Sequence, residues 1–505
     1  MYDFEFNHEG ITAQLLTGSN ARIPALCQDS IHKTPSAEFA NEKTNEEDVK
    51  RKYGFDSKSH EYTRTMLKKG EIGLARNRLS QEDEIHDVNY DEILHFEEEI
   101  AGEEFYRTGM DAIKRNEIAV ITFAGGMGSR WTHGAAVVKP INPFIKINGK
   151  YRTFLEIHLA KSRKTAESCG KPVQHVFTTS YLTHDAIVNY LKRFNFCCKA
   201  IDSDDYEGDI YLSCAQTIGH RVYPMERDLR FLLKEQLQQK PDENIRKIQE
   251  AQHLALIEWV KSRGEGDDYA ENNPALRFNP PGHWYEIPNL IKNGTLAKML
   301  RDNPSLKYLL CHNIDTMGAY IEPFLLGMHI FEQACLTFEV TPRRVEDRGG
   351  GLAKVNGHIR LVEGLALPKE EDEYRLSYYN TLTNWITIDS LLEFFGLDRG
   401  SILEADKHAG KKDEVTEAIH RIEKRIPTYV TIKNVQYLWG TGQEDIHPVA
   451  QFEKLWGDMT AFRDLKVSYI GVSRYCGQQL KEPSQLDRWL IDGSFEYVKS
   501  KAIFK

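Results

Sequence analysis

The run Ile118–Phe123 (IAVITF) is apolar but for one threonine and passes straight into a glycine cluster, Gly125-Gly126-Met127-Gly128-Ser129-Arg130. A short apolar run closed by glycine predicts a buried strand entering a tight turn. Beyond it the periodicity alternates. Helical spacing runs from Thr153 to Ser168, Val173–Thr179 has the Val, Phe and Thr content of a buried strand, and Thr183 can cap a helix carrying Ile187, Val188, Leu191 and Phe194. This βαβ order predicts a parallel sheet with helices on both faces and right-handed crossovers, binding phosphate at the carboxyl ends of its strands. Residues 225–265, rich in Glu, Gln and Lys, predict long helices inserted into that sheet. Phe338-Glu339-Val340-Thr341 reads as a further strand; after Gly349-Gly350-Gly351, the runs 352–355 and 358–362 read as a hairpin joined at Asn356-Gly357.

The amino-terminal part differs. Residues 1–45 are polar and aperiodic, and Asn41–Lys52 is a charge run of the kind found on solvated helices. Helical patterns follow over Glu61–Leu79 (Tyr62, Met66, Leu67, Leu74) and Tyr90–Met110 (Ile93, Leu94, Phe96, Ile100, Phe105), which predicts two or three helices before the first strand. The expected organisation is a helical extension over 1–112, a catalytic domain over 113–435 and a carboxyl-terminal segment over 436–505.

A chain of 505 residues with 41% hydrophobic content exceeds one ordinary core. Its net charge of −10 argues against nonspecific nucleic-acid binding, so an anionic substrate needs a locally basic site. The eight cysteines include no CxxC pair, which suits reduced thiols in the cytoplasm. The start MYDFEFNHEG lacks the basic-then-apolar order of a signal peptide, and no apolar run approaches membrane-spanning length.

The glycine cluster is the first candidate site. Glycines there let backbone N–H groups approach phosphate oxygens, and Arg130 adds a permanently charged fork. A dinucleotide-binding loop would need glycine at Trp131, and a Walker loop would need Lys then Ser or Thr after its last glycine; neither holds. Pro280-Pro281-Gly282-His283 is a rigid turn delivering an imidazole. Tyr308–Cys311 is a short strand leading to Asp315, which would sit at a strand's carboxyl end where a divalent cation meets phosphate.

Taken in order, FAGGMGSR (123–130), PPGH (280–283), NIDTMGA (313–319), EVTPRR (339–344), RLVEGLALPKE (360–370) and NTLTNW (380–385) form a series that resembles the UDP-glucose pyrophosphorylase family of uridylyltransferases. The resemblance covers about residues 115–435. It implies the Rossmann-like nucleotide-diphospho-sugar transferase fold, an α/β architecture with a central mixed, mostly parallel sheet. It also implies a reaction in which a sugar 1-phosphate, glucose 1-phosphate first, attacks the α-phosphorus of UTP with Mg2+ present and pyrophosphate leaves. On this resemblance Ala124, Gly125, Gly126, Gly128, Gln216 and Gly282 bind nucleotide, with Gln216 reading the uracil edge. Gly282 and His283 line the nucleotide and sugar phosphate, and Asn313, Glu363 and Asn380 bind sugar hydroxyls. Asp315 holds the metal, and Arg130, Lys139 and Lys433 are the catalytic cations, Lys433 being the best match for a lysine from a late edge strand. Neither a nucleic acid nor a membrane is an expected partner.

Three departures stand out. Trp131–Pro140 is longer and reordered relative to the family's Gly-x-x-Pro-Lys run. Trp284-Tyr285 replaces the Gly-Asp after PPGH, setting a bulky pair where backbone would pass close to ligand. Leu382 replaces a sugar-facing polar residue, which is expected to loosen selection at one sugar position. The tail after Val467 shows no hexapeptide repeat, so the β-helix that ends many such enzymes is not expected. An N-acetylhexosamine 1-phosphate uridylyltransferase and a noncatalytic sugar-nucleotide-binding protein are the alternatives.

Overall fold

The alternation of strands and helices builds one central sheet of twelve strands, nine of them in a continuous path. The computed structural model describes residues 45–504 apart from 97–101, 127, 129–130, 132–137, 194–197, 201–208, 239–242, 272–273 and 439–443. The nine strands are β1 (Leu94–His95), β2 (Ile118–Phe123), β3 (His175–Thr179), β4 (Cys198–Ala200), β5 (Ile210–Cys214), β6 (Tyr308–Asn313), β7 (Leu336–Pro342), β8 (Tyr378–Thr387) and β9 (Val467–Gly471). Their spatial order is β1-β9-β7-β8-β6-β2-β3-β5-β4, and β8 alone runs antiparallel to both neighbours. The mostly parallel α/β sheet expected from the sequence is therefore present. All six residues of β2 are buried, as an unbroken apolar run in a sheet covered on both faces should be.

Local signals place the covering helices. Thr153 and Glu156 form a reciprocal capping box that starts the helix Phe154–Cys169, and Gly170, at φ 68°, ends it. The inserted helices are Glu226–Gln238 and Glu243–Arg263, and the hairpin turn at Asn356-Gly357 has φ 49° and 76°, as its sequence requires.

The amino-terminal segment differs from its helical pattern. Tyr90–Met110 divides into a 3-10 turn at Tyr90–Glu92, β1, and a helix over Gly102–Lys114. Leu94 and His95 pair with Ile470 and Gly471, so the sheet edge overrides helical spacing there. The Glu61–Leu79 pattern resolves as the helix Ser57–Lys69, stopped by Gly70 in the left-handed region. The boundaries expected at 112 and 435 do not mark breaks: Ile85 and His86 pair with the 351–355 strand, and residue 435 lies inside Tyr429–Leu438, which forms a hairpin with Glu444–Glu453. β9, from the tail, is interior to the sheet, and no β-helix occurs among the described residues. No helix among them is long and apolar enough to cross a membrane.

Candidate active site

Residue-by-residue pairing of β2 with β6 sets Asn313 beside Phe123, so the glycine loop and the NIDTMGA turn leave the sheet side by side at its carboxyl edge. Ile314 N–H donates to the Phe123 carbonyl, carrying the pairing one residue further. Asp315 then meets Lys139, whose ammonium lies 2.8 Å from Oδ2, with the two side chains 16% and 6% exposed. Asp315 Oδ1 is buried with no hydrogen-bond partner. Lys139 also sits over the rings of Phe154 and Trp131, 5.3 and 5.9 Å from their centroids. Gly128 has φ 69°, and a Cβ there would come within 2.4 Å of the Lys139 Cβ, so the loop's last glycine is what lets this lysine approach.

The third strand of chain at this edge comes from the tail. Leu480 N–H donates to the Asp315 carbonyl, Trp131 Nε1 donates to the Leu480 carbonyl, and Gln479 pairs with Thr316. Gly318 is required here because a Cβ would fall 1.8 Å from the Tyr475 carbonyl oxygen. The next residue, Lys481, donates to the Tyr379 hydroxyl at 2.5 Å. Burial disfavours the Lys481 charge, but Tyr379, Asp315 and Glu363 outweigh it and hold the ammonium pKa above its usual value. Lys139 thus pairs with Asp315 directly, while Lys481 is held by Tyr379 and adds its positive charge near the same carboxylate.

Glu363, at the end of the 358–362 strand, and Asn380, on β8, converge on Gly457: a Cβ there would lie 3.0 Å from Glu363 Oε1 and 3.8 Å from Asn380 Nδ2. Asn380 Oδ1 accepts from Leu382 N–H at 2.8 Å, which leaves its Nδ2 free for an acceptor. Glu363 Oε1 is buried and unpartnered, and burial pushes this carboxyl up to about 7. Asp458 nearby is likewise raised to about 7, by burial and then by Glu363. Raised carboxyl pKa values in the fold mean that the native state holds protons the unfolded chain has released. These groups therefore favour folding below about pH 4.5 and lose that contribution as pH rises toward 7. Denaturant unfolding should show a stability that falls by on the order of 1 kcal/mol per pH unit per group between about pH 5 and 7. The double variant Glu363→Gln, Asp458→Asn should flatten that slope; an unchanged slope would remove these groups as its source.

The remaining expected residues fall as follows. Ala124 N–H donates to the Thr178 carbonyl, Gly125 O accepts from Ser180 Oγ at 2.6 Å, and a Cβ on Gly126 would meet nothing within 4 Å, so this part of the loop faces open space. Arg130 lies outside the described residues. Gln216 is partly buried, with its carbonyl 3.3 Å from Lys292 Nζ. Gly282, at φ 103°, is needed for packing, since a Cβ would lie 2.2 Å from the Lys454 carbonyl oxygen. His283 is turned inward: its Nδ1 accepts from Trp456 N–H at 2.9 Å, and burial lowers it to about 4. The bulky pair does not crowd the cleft. Trp284 is fully buried, and Tyr285 donates to Glu423 at 2.6 Å. Glu286 instead approaches the loop, its Oε1 3.1 Å from where a Gly125 Cβ would be, and burial raises it to about 7.

Lys433 is not brought to this cluster. It sits on the 429–453 hairpin, 51% exposed and 4.0 Å from Glu453. Leu382 is 7% exposed within the largest hydrophobic cluster, so it is a core residue and not an open wall of the cleft. It occupies a bulge between Phe338↔Asn384 and Val340↔Asn380 at φ 60°, a region costly for a branched side chain. Lys481 and Glu286 were not singled out from the sequence. The local sign for Lys481 is a polar stretch following the apolar strand β9, which is a common pattern.

Residues 266–431 match the family model described as UTP--glucose-1-phosphate uridylyltransferase. The UTP--glucose-1-phosphate uridylyltransferase of Hordeum vulgare is 30% identical over 118 residues, 22% of this chain and 24% of that protein. That of Saccharomyces cerevisiae is 28% identical over 126 residues, covering 24% and 25%. Over residues 266–431 the chain is thus similar to the UDP-glucose pyrophosphorylase family. The aligned part spans about a quarter of these curated relatives. Among solved structures, Trypanosoma brucei UDP-glucose phosphorylase superposes with a TM-score of 0.53 at 15% identity, covering 90% of this chain and 77% of that one. The uridine diphosphate N-acetylglucosamine pyrophosphorylase of the same organism gives 0.51 at 15%, covering 97% and 85%. At 15% identity these likenesses show a shared fold over most of the chain. Within the family-matched segment lie PPGH, NIDTMGA, Glu363 and Asn380, whereas the glycine loop, Lys139 and Lys481 lie outside it.

Proposed function

We propose that the protein is a UTP-dependent uridylyltransferase that joins a sugar 1-phosphate, glucose 1-phosphate first, to UMP and releases pyrophosphate. The observation that carries this reading is the buried Lys139–Asp315 pair beside the glycine loop, where the tail strand also brings in Lys481 through Leu480. Two polyanions must be aligned for such a transfer, and the charge developing between them must be neutralised. The sugar phosphate oxygen bonds to the α-phosphorus as the bond to pyrophosphate breaks. Backbone N–H groups of Gly125, Gly126 and Gly128 cradle the triphosphate, Lys139 and Lys481 neutralise its oxygens, Asn380 and Glu363 take sugar hydroxyls, and Gln216 reads the base.

The family's chemistry calls for a divalent cation, and the donor set fits one: Asp315 presents a hard carboxylate oxygen, Oδ1, buried and unpartnered. Mg2+ held by Asp315 would supply Lewis-acid charge to phosphate oxygens. The five cysteines whose side chains are described, Cys169, Cys214, Cys311, Cys335 and Cys476, are unpaired, which suits a cytoplasmic enzyme.

Incubation with UTP, Mg2+ and a panel of sugar 1-phosphates should release pyrophosphate, with glucose 1-phosphate giving the highest kcat/KM. Binding of UTP without release of pyrophosphate on any sugar 1-phosphate would favour a noncatalytic role.

A further inference from the structure

The turn that carries Asp315 is held from the tail on one side; on another it is held by two buried side chains one helical turn apart on Phe154–Cys169. His158 and Lys161, 1% and 4% exposed, are three residues apart, so they share a helix face. His158 Nε2 lies 2.9 Å from the Ile314 carbonyl oxygen and donates to it. Lys161 Nζ donates to the carbonyl oxygens of Met317, at 3.0 Å, and Ala319, at 2.5 Å. Together these bonds bracket the backbone from residue 314 to 319.

Lys161 is an expensive choice for this task. No carboxylate among the described residues lies within ion-pair distance of it, and a buried ammonium without a counter-charge is disfavoured relative to an apolar side chain of the same length. What the ammonium supplies, and methionine could not, is several donors at the end of a four-carbon stem, able to bond two carbonyls of one turn at once. Two of the turn's own side chains add nothing to its anchoring: Thr316 Oγ1 is buried and unpartnered, and Gly318 has no side chain.

We propose that Lys161, with His158, is a positioning residue that fixes the 314–319 turn and so sets the direction of the Asp315 carboxylate toward a divalent cation. The proposal rests on the uridylyltransferase reading for its purpose, though not for its geometry. Outer-shell groups of this kind change metal affinity by about 10–100-fold when removed.

The test uses the full chain as Lys161→Met and Lys161→Gln variants, with Mn2+ as the probe. Free Mn2+ is counted by its electron paramagnetic resonance signal, backbone amide hydrogen exchange is followed across 314–319, and melting temperature is recorded alongside. Lys161→Met should weaken Mn2+ binding by about 10–100-fold and speed exchange in the turn by about tenfold or more, while amides of β2 and β6 keep their protection. Lys161→Gln, whose amide still donates, should recover part of both effects and serves in its place if Lys161→Met does not fold. Wild-type Mn2+ affinity and wild-type exchange at 314–319 in a folded variant would overturn the proposal, as would a loss of protection spread evenly over the sheet. A wild-type protein inactive on every sugar 1-phosphate would sink the uridylyltransferase reading instead, and the exchange data would still decide whether Lys161 holds the turn.

Discussion

Lys481→Ala is expected to lower turnover on the order of 10²–10³-fold, the loss seen when one preorganised donor to transition-state charge is removed. Lys481 is held by Tyr379, and its raised ammonium pKa keeps it charged across the working pH range. Its backbone enters the site through Leu480, tied to both Asp315 and Trp131, so truncating the side chain should leave these bonds in place. The melting temperature should accordingly move little. Lys433→Ala, on the exposed hairpin, should leave turnover within a few-fold of wild type. A reversal, with Lys433→Ala crippled and Lys481→Ala active, would show that the hairpin closes over the cleft during turnover and that Lys481 is structural.

Asp315→Ala should carry two penalties at once. It removes the carboxylate proposed for the metal, which is expected to cost several kcal/mol of transition-state stabilisation, on the order of 10²–10⁴-fold in turnover. It also removes the carboxylate that Lys139, 6% exposed, is paired with at 2.8 Å. Breaking such a pair destabilises by roughly 3–5 kcal/mol, whereas replacing both partners by apolar groups of similar size is close to neutral. The double variant Lys139→Met, Asp315→Leu should therefore regain most of the stability lost in Asp315→Ala and none of the turnover. Denaturant unfolding beside a pyrophosphate-release assay separates the two effects. If Asp315→Ala keeps wild-type stability, the ion pair is not buried in solution; if it keeps wild-type turnover, Asp315 is not in the active site.

The sequence by itself determined the parts of this protein whose signals are local. The buried run Ile118–Phe123 ahead of the glycine cluster, Asp315 just beyond a short strand, the helix starting at Thr153 and the Asn356-Gly357 turn each depend on residues near one another in the chain, and each is found where its pattern set it. The alternation of these elements was enough for a mostly parallel α/β sheet. Tertiary structure alone decided which distant residues meet. The segment that carries Lys481 reaches Asp315 through Leu480 because β9 inserts between β7 and β1 and the chain after it runs back along the sheet edge, a placement fixed by pairing over more than a hundred residues. Lys433, with an equally plain strand pattern around it, is carried away on a separate hairpin. Burial was decided the same way: Leu382 and Trp284 fill the core instead of facing the cleft, and His158 and Lys161 are polar residues turned inward because the carbonyls of the 314–319 turn lie within their reach. A side chain's neighbours across a sheet depend on register and crossover, and neither is written in the spacing of its own segment.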